Sequence, residues 1–250
     1  MNAEIARQLN HRTIRALTAQ PLSQEIIDTL VNVARHTATS QFQQAFSIIS
    51  ITDPELKAAI RKITKQSYVG ATGHLFIFVA DEYRNATIGQ EMGNAHHSLG
   101  NTDRTIAAFS DAILAVQNTV NAAESMGLGT VILGSILNDA AQLIELLQLP
   151  KLTFPVLGLE VGYPDQEPQL KPRLPENFMH FQNTYQLPEP IVPQLKDYDE
   201  IVHNYYDLRE TNQRVDTFTN QIYQRLNNVP EKRHELLQTL RQQGFLNEAN

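Results

Sequence analysis

The sequence predicts a body of helices packed on a β-sheet, followed by a helical C-terminal arm. Short apolar, β-rich segments alternate with amphipathic helical segments as far as about residue 162, and this alternation is typical of a sheet covered by helices. Prolines then cluster between residues 164 and 193, where each denies helices and sheets a backbone donor. With 250 residues, 42% of them hydrophobic, the chain can bury a core without a metal or a disulfide.

Two helices and two strands are predicted in the first third of the chain. Ser23 suits the N-cap of a helix whose apolar residues recur at three-to-four spacing on one face. A strand is predicted over residues 45–51, and Thr52-Asp53-Pro54 then indicates a second helix start, with proline in the first turn, where its missing N–H is not needed. Residues 74–80 are apolar on both faces and should lie in the middle of the sheet.

A long central helix is predicted over residues 105–126, and Gly127 is its expected stop. Two more short strands, at 130–133 and 155–161, are separated by a helix over 138–147. Together with the first two strands they form the sheet on which the helices pack.

The proline-rich segment separates this body from further amphipathic helices, predicted over residues 198–208, 214–226 and 230–243. A run of helices after an extended segment is more typical of an arm that wraps a partner subunit than of an independent domain. We therefore predict one domain made of three parts: a core over residues 1–163, an extended strap over 164–194, and a helical arm over 195–250.

Charge and composition exclude several classes of function. Twenty Lys and Arg against 27 Asp and Glu give a net charge of −7, the opposite of the basic footprint that nucleic-acid binding requires. The longest apolar runs fall far short of the ~20 residues of a membrane span, and the N-terminus lacks a signal-peptide pattern. The chain has no cysteine, so any redox chemistry must come from a bound cofactor, and we expect a cytoplasmic protein.

The most informative segment is the run His11-Arg12-Thr13-Ile14-Arg15. Two guanidinium groups, a hydroxyl and an imidazole form a dense set of donors, which suits a phosphate monoester. Taken alone, the run is more typical of a solvated basic turn. A second basic pair, Lys171 and Arg173, is held extended by Pro172, and two rigid basic segments in an acidic protein favour a phosphate site.

A third polar segment is the loop at residues 37–44, between a predicted helix and a predicted strand. Hydroxyl and amide side chains fill it except at Ala38 and Phe42. These groups are suited to contact a ligand, although a plain capping loop explains the same residues equally well.

His96, His97 and Glu124 are interpreted as structural or surface residues. No second pair of metal ligands stands at a suitable spacing from them in the sequence. We therefore expect no metal site.

Taken in order along the chain, several of these segments resemble one protein family. The matching segments are His11-Arg12-Thr13-Ile14-Arg15, Thr39-Ser40-Gln41-Phe42-Gln43-Gln44, Ala122-Ala123-Glu124-Ser125-Met126-Gly127-Leu128-Gly129, Ile132-Leu133-Gly134-Ser135, Leu170-Lys171-Pro172-Arg173-Leu174-Pro175 and Tyr205-Tyr206-Asp207-Leu208-Arg209. Over nearly the whole chain they are similar to oxygen-insensitive, NADPH-dependent nitroreductases and flavin reductases of the FMN-containing nitroreductase superfamily. The resemblance implies an α+β fold, with a central mixed, mainly antiparallel sheet between layers of helices and a helical C-terminal arm.

The resemblance also implies which residues bind FMN. In the family, the phosphate and ribityl chain are held by residues that match His11, Arg12, Thr13, Arg15, Lys171 and Arg173. The polar edge of the ring is bordered by residues that match Gln66, Ser67 and Tyr68, and one ring face by those that match Ile132, Leu133, Gly134 and Ser135. The loop that contains Thr39, Ser40 and Gln44 matches one that reaches the FMN of the neighbouring subunit, so a homodimer is implied.

For NADPH, the matching positions lie in the C-terminal arm. Arg209 and Arg214 match residues that hold the nucleotide, and guanidinium groups suit its 2′-phosphate. A solvated helix end is the alternative for both. Arg233 falls near another position that faces the same pocket.

The activity implied by the resemblance is a ping-pong cycle, in which NADPH reduces FMN and is replaced by a nitroaromatic, a quinone or a related electron acceptor. The flavin N5 carries the hydride, so no side chain is needed as a nucleophile, and Arg15 is expected to support the N1/O2 edge with its charge. Two alternatives remain open: an NADPH-dependent FMN reductase that supplies free reduced flavin, and a non-catalytic flavin-binding protein.

Overall fold

A four-stranded sheet lies at the centre of the computed structural model. Its strands are β1 (Phe46–Ile51), β2 (His74–Asp81), β3 (Gly129–Leu133) and β4 (Thr153–Gly162), in the order β1-β2-β4-β3. All three pairings between these strands are antiparallel. The expected mainly antiparallel sheet is confirmed. Outside the named strands, an isolated parallel bridge joins Thr13 to Thr130.

The structure describes residues 1–94, 98–207, 216–227 and 230–247. Contacts within the chain divide it into two units, one formed by residues 1–168 with residues 230–250 and the other by residues 169–229. In these described ranges the α-helices are α1 (Ala3–Leu9), α2 (Gln24–Arg35), α3 (Pro54–Thr64), α4 (Tyr83–Glu91), α5 (Thr102–Ser125), α6 (Ala140–Leu146), α7 (Ile191–Gln194), α8 (Lys196–Asp207), α9 (Phe218–Leu226) and α10 (Leu236–Gln242). None of the helices in this part of the chain combines the length and apolarity needed to cross a membrane.

Local signals at the predicted helix ends are confirmed. The Ser23 side chain accepts a hydrogen bond from the Ile26 N–H at the start of α2. At the start of α3, the Asp53 carboxylate accepts from two backbone N–H groups, and Pro54 occupies the first turn. Gly127 follows α5 with a φ of +77°, a left-handed conformation that glycine adopts without strain.

Both faces of the sheet are covered, as the two-sided apolar pattern of β2 predicts. Every residue of β2 is buried. On one face, Phe76 and Phe78 pack with the buried side of α5, whose alanines and valines allow close approach. On the other face, Leu75 and Ile77 pack with residues of α3 and α6. The sheet is therefore a rigid support for the segments that leave its strand ends.

Two predicted helices begin later than expected. The helix predicted over 138–147 begins only at Ala140, as α6, because residues Gly134–Asp139 form a 3-10 helix that leads into it. Likewise, Glu231–Glu235 is a 3-10 helix that precedes α10. Polar side chains from these two short segments contact each other at one end of the sheet.

The end of the chain packs within the first unit. Phe245 is fully buried among the core residues that α5 and β4 supply, and the Leu152 N–H donates to the Gln243 carbonyl at 2.6 Å. The amide of Gln243 also donates to the carbonyls of Pro150 and Thr153, both at 3.0 Å. The predicted division into core, strap and arm stays a prediction.

The second unit has a small apolar cluster of its own, formed by Phe178, Leu195, Tyr198 and Val202. Apart from the 3-10 helix Glu176–Phe178, residues 169–190 are irregular, as the prolines predict. The described part of the helix predicted over 214–226 begins at Phe218 and is capped by Thr217.

Candidate functional site

The basic segment at residues 11–15 is fixed to the edge of the sheet. Thr13 bridges Thr130 of β3, and the Ile14 N–H donates to the Thr130 carbonyl at 2.8 Å. Ile14 is buried over Gly129, where an added Cβ would lie 2.8 Å from the Ile14 Cβ. The absence of a side chain at Gly129 thus allows the segment to lie close to β3, which holds the neighbouring polar side chains in place.

Arg12 carries an unpaired donor in this segment. Its Nε is buried and has no hydrogen-bond partner among the described residues. Leaving a buried charged donor unsatisfied is costly, so this atom calls for an acceptor beyond those that the described residues supply. Arg15 is exposed and forms no ion pair within the same ranges. The unpaired Nε of Arg12 and the guanidinium of Arg15, neither of them paired within the described ranges, match the donor set that a phosphate requires.

His11 is held by a carboxylate from the end of α5. Its Nδ1 lies 2.5 Å from Oε1 of Glu124, and the Thr130 hydroxyl donates to the same oxygen at 3.2 Å. The Glu124 side chain is only 13% exposed. Glu124, interpreted from the sequence as a structural or surface residue, therefore contacts His11, one of the residues expected to bind the phosphate.

No group of three or more potential metal ligands lies together in the part of the chain that the structure describes. His96 and His97, expected to be structural or surface residues, lie outside the described residues. The two arginines predicted for NADPH, Arg209 and Arg214, also lie outside them.

The structure brings together the two segments predicted for the flavin ring. Gln66, Ser67 and Tyr68 form the turn after α3, and the Ser135 hydroxyl donates to Oε1 of Gln66 at 2.8 Å. Ile132 is 39% exposed at the adjoining strand end. The side chain of Leu133 lies in the core, so only its backbone is available to a ligand.

Gly134 lies beside open space. An added Cβ there would meet nothing within 4 Å, so a flat group can approach this stretch of backbone. Arg233 contacts the same residue, since its Nη2 donates to the Gly134 carbonyl at 2.6 Å, and its Nε donates to Asn138 at 3.2 Å. The expectation that Arg233 faces the NADPH pocket stays a prediction.

A buried carboxyl with no recognisable sequence signal supports the turn at residues 66–70. Glu160, on β4, accepts a hydrogen bond from the Gly70 N–H at 2.8 Å. Burial raises the pKa of Glu160 to about 7, although the Gly70 hydrogen bond, Lys57 and Arg61 act in the opposite direction. Arg61 Nε also donates to the Val69 carbonyl at 2.7 Å, so the turn is attached at two adjacent residues.

The loop at residues 37–44 is anchored at its base and exposed at its tip. The buried Asp111 of α5 accepts from the Ser40 N–H at 2.8 Å and from the Ala45 N–H at 3.1 Å. Phe42, at the tip, is 82% exposed and has a positive φ. Within the described ranges, no hydrogen bond joins Thr39, Ser40 or Gln44 to residues 11–15 or 66–68 of the same chain.

Lys171 and Arg173 lie in the second unit, and both are exposed. One guanidinium nitrogen of Arg173 donates to the Lys171 carbonyl at 2.6 Å. This hydrogen bond turns the arginine back onto its own segment.

The fold and this set of residues define a class of flavoprotein, and the chain belongs to the nitroreductase family. The family model described as "Nitroreductase family" matches residues 9–163, and that described as "Nitroreductase family, C-terminal domain" matches residues 171–248. The first match contains residues 11–15, 37–44, 66–70 and 132–135, and the second contains Lys171, Arg173 and Arg233.

Individual relatives are similar over nearly their full length. An FMN reductase (NADPH) of Bacillus subtilis (strain 168) is 38% identical over 248 residues, 98% of this chain and 99% of the relative. The solved NfrA1 nitroreductase of B. subtilis has a TM-score of 0.91 and 37% identity, and covers 97% of this chain and 99% of its own. An NADPH:FMN oxidoreductase of Vibrio harveyi has a TM-score of 0.88 and 31% identity, with 99% and 100% covered.

Proposed function

We propose that this chain binds FMN and uses NADPH to reduce small electron acceptors, such as nitroaromatics and quinones. The names of its relatives support the cofactor and the reductant. The observation that carries the proposal is the buried Nε of Arg12, which has no partner among the described residues. The phosphate of a bound FMN would supply the acceptor that this donor lacks.

When bound, FMN supplies a ring nitrogen, N5, that takes a hydride from NADPH and passes it to the acceptor. The residues present fit this group at its phosphate end. His11, Arg12 and Thr13 offer an imidazole, a guanidinium and a hydroxyl from a segment that is held rigidly on β3. Lys171 and Arg173 are proposed as further cations for the same phosphate.

Along the ring face, the chain offers backbone and space. Gly134 leaves room for a flat group, and exposed Ile132 provides an apolar surface beside it. Gln66, Ser67 and Tyr68 are proposed to hydrogen-bond the polar edge. Arg15, exposed and without an ion pair among the described residues, is proposed to place its charge near N1 and O2.

The hydride donor is proposed to bind over the same ring face, with Arg209 and Arg214 on its 2′-phosphate. A guanidinium pair would distinguish NADPH from NADH, since only NADPH carries that dianion. One exposed ring face for both substrates requires that the first leave before the second binds, which gives ping-pong kinetics.

We further propose a homodimer in which Thr39, Ser40 and Gln44 contact the FMN bound to the other subunit. The anchored loop presents Phe42 to solvent, and α5 exposes Ile106, Ile113 and Leu114. Exposed apolar residues in such numbers on one helix are typical of an interface. Sedimentation of an active, FMN-bound monomer would contradict the dimer.

The direct test of the activity is the visible spectrum of the purified protein under argon. We expect a yellow protein that bleaches rapidly with one equivalent of NADPH, slowly with NADH, and recovers its colour when a nitroaromatic or quinone is added. Colour that persists with both nucleotides would indicate a non-catalytic flavin-binding protein. A colourless protein that cannot be reconstituted with FMN would overturn the proposal.

A second candidate function is favoured by the names of two relatives, an FMN reductase (NADPH) and an NADPH:FMN oxidoreductase. In this case reduced FMN would leave the protein as a product. Rapid gel filtration after turnover separates the two candidates. FMN that stays with the protein supports reduction of other acceptors, whereas FMN that emerges in the small-molecule fraction, with saturation of the rate by added FMN, supports flavin reductase activity.

A further inference from the structure

Glu124 occupies an unusual position for an acidic residue. It lies beside a segment that is proposed to bind a phosphate, where an unpaired carboxylate would repel the ligand. Its Oε1 is instead engaged twice, by Nδ1 of His11 at 2.5 Å and by the hydroxyl of Thr130 at 3.2 Å. The Nε of Arg12 makes no hydrogen bond to it or to any other described residue.

The hydrogen bond to Glu124 determines what His11 can offer a ligand. A carboxylate only accepts, so Nδ1 must carry a hydrogen, and the ring is held with Nε2 on the opposite edge. A phosphate oxygen also accepts, so Nε2 binds it as a donor when the ring carries both hydrogens. The Glu124 carboxylate holds the ring in this orientation, as carboxylates do for metal-bound histidines.

Thr130 connects Glu124 to the same part of the sheet. It pairs with Thr13 through the isolated bridge and accepts from the Ile14 N–H through its carbonyl. Its hydroxyl donates to Glu124. One residue of β3 therefore fixes both the backbone of the basic segment and the carboxylate that orients its histidine.

We propose that Glu124 is a positioning residue, which orients His11 toward the flavin phosphate and thereby gives the site its preference for FMN over riboflavin. This inference rests on the proposed FMN site. It assigns a role to Glu124 while leaving the charge of Arg12 available to the ligand.

The test compares FMN with riboflavin, which has the same ring but no phosphate. Binding of each to the full chain freed of flavin is measured by quenching of flavin fluorescence, for the wild type, Glu124→Leu, Glu124→Gln and the control Glu145→Gln, which changes an exposed glutamate on α6. For Glu124→Leu we expect the FMN Kd to rise about tenfold, a typical loss when the partner of a ligand-binding histidine is removed. The riboflavin Kd should change less than about twofold, like that of a surface variant.

Glu124→Gln keeps an acceptor for Nδ1 but loses the charge, so we expect a smaller rise in the FMN Kd, of about threefold. The same substitutions in a His11→Ala background should have no further effect on the FMN-to-riboflavin ratio, because the residue through which Glu124 acts is gone. If Glu124→Leu does not fold, Glu124→Gln takes its place in both backgrounds, and the inference stays testable.

Three outcomes are informative. A selective loss of FMN binding that vanishes in the His11→Ala background supports the inference. Equal losses for FMN and riboflavin, or an unchanged loss without His11, would overturn it and leave the phosphate site intact. If the wild type does not prefer FMN, or if Arg12→Ala leaves the ratio unchanged, the proposed phosphate site itself is wrong, and the inference is wrong with it.

Discussion

The two ends of the candidate site differ in how their polar groups are satisfied. At the phosphate end, residues 11–15 present a buried guanidinium nitrogen on Arg12 that no described residue accepts from, and an exposed Arg15. At the ring end, two pairs of polar groups are already bonded to each other. Ser135 donates to Gln66, and Arg233 donates to the Gly134 carbonyl.

This difference indicates a division of labour. An end with unmet charges gains most when an anion arrives, so it should supply affinity for FMN. An end whose groups are satisfied loses little entropy on binding, so it should supply the geometry in which the ring is held. Substitutions at the phosphate end should therefore separate FMN from riboflavin, and substitutions at the ring end should not.

The largest effect is expected for the pH dependence of stability at the ring end. Burial raises the pKa of Glu160 to about 7 from an ordinary value of 4.5, so the folded chain keeps this proton at pH values where the unfolded chain loses it. The stability that Glu160 contributes is then fully present below about pH 4.5 and is lost as the pH rises to about 7. The loss amounts to about 3 kcal/mol.

Glu160→Gln cannot ionise and keeps an acceptor for the Gly70 N–H. Urea unfolding of the flavin-free chain between pH 4.5 and pH 8 should show the wild type losing about 3 kcal/mol relative to this variant. Subtracting one protein's profile from the other's cancels the contributions of other titrating groups. His74 and Glu82 are such groups, since burial shifts the pKa of each. Parallel pH profiles for the two proteins would show that Glu160 does not bind a proton in this range.

The next effect tests the phosphate end. Arg12→Ala removes a charged donor from the anion, a loss of about 2 kcal/mol, so we expect the FMN Kd to rise about 30-fold and the riboflavin Kd to stay nearly constant. Arg7→Ala, which removes a half-buried arginine paired with Glu4 on α1, serves as the matched control. Equal FMN affinity in both variants would refute the division between the two ends.

A smaller effect is expected at Gly134, and it should apply to both flavins rather than to FMN alone. Because an added side chain meets open space there, Gly134→Val should change the free energy of unfolding by less than about 0.5 kcal/mol. The valine would fill room needed by the ring, and we expect FMN and riboflavin affinities to fall together, by about tenfold each. Isothermal titration of Gly134→Val and of Arg12→Ala with FMN and riboflavin measures the contrast between the two variants. A loss confined to FMN would place the phosphate, not the ring, at Gly134.

The smallest effect is expected for Arg233→Lys. The ammonium can reach one acceptor but cannot reproduce the paired contacts to Gly134 and Asn138, so the ring-face segment loses one hydrogen bond. We expect the rate of NADPH-dependent flavin reduction to fall about threefold, with little change in FMN affinity. Stopped-flow absorbance under argon measures the rate of flavin reduction, and titration with FMN measures the affinity. An FMN Kd that rises more than the rate falls would contradict the assignment.

Local features of the fold were predictable because neighbouring residues determine them. The helix start at Ser23, the proline in the first turn of α3 and the two-faced burial of β2 each follow from a few adjacent residues. The start of α6 was placed too early, since residues 134–139 form a 3-10 helix whose position depends on contacts with α3 and β4.

The candidate site was predictable only for residues that share a segment. Contacts between distant segments carry no local signal: Glu124 meets His11 across 113 positions, and Glu160 meets Gly70 across 90. Each pairs an acid with a partner that only the folded sheet brings close. Asp111, which anchors the loop at residues 37–44, has the same character.

The most direct test of the site is a crystal structure of the protein with FMN. We expect a phosphate oxygen to accept a hydrogen bond from Nε of Arg12, and the ring to lie along residues 132–135. A phosphate bound elsewhere, with Nε of Arg12 still unpaired, would contradict the proposed site.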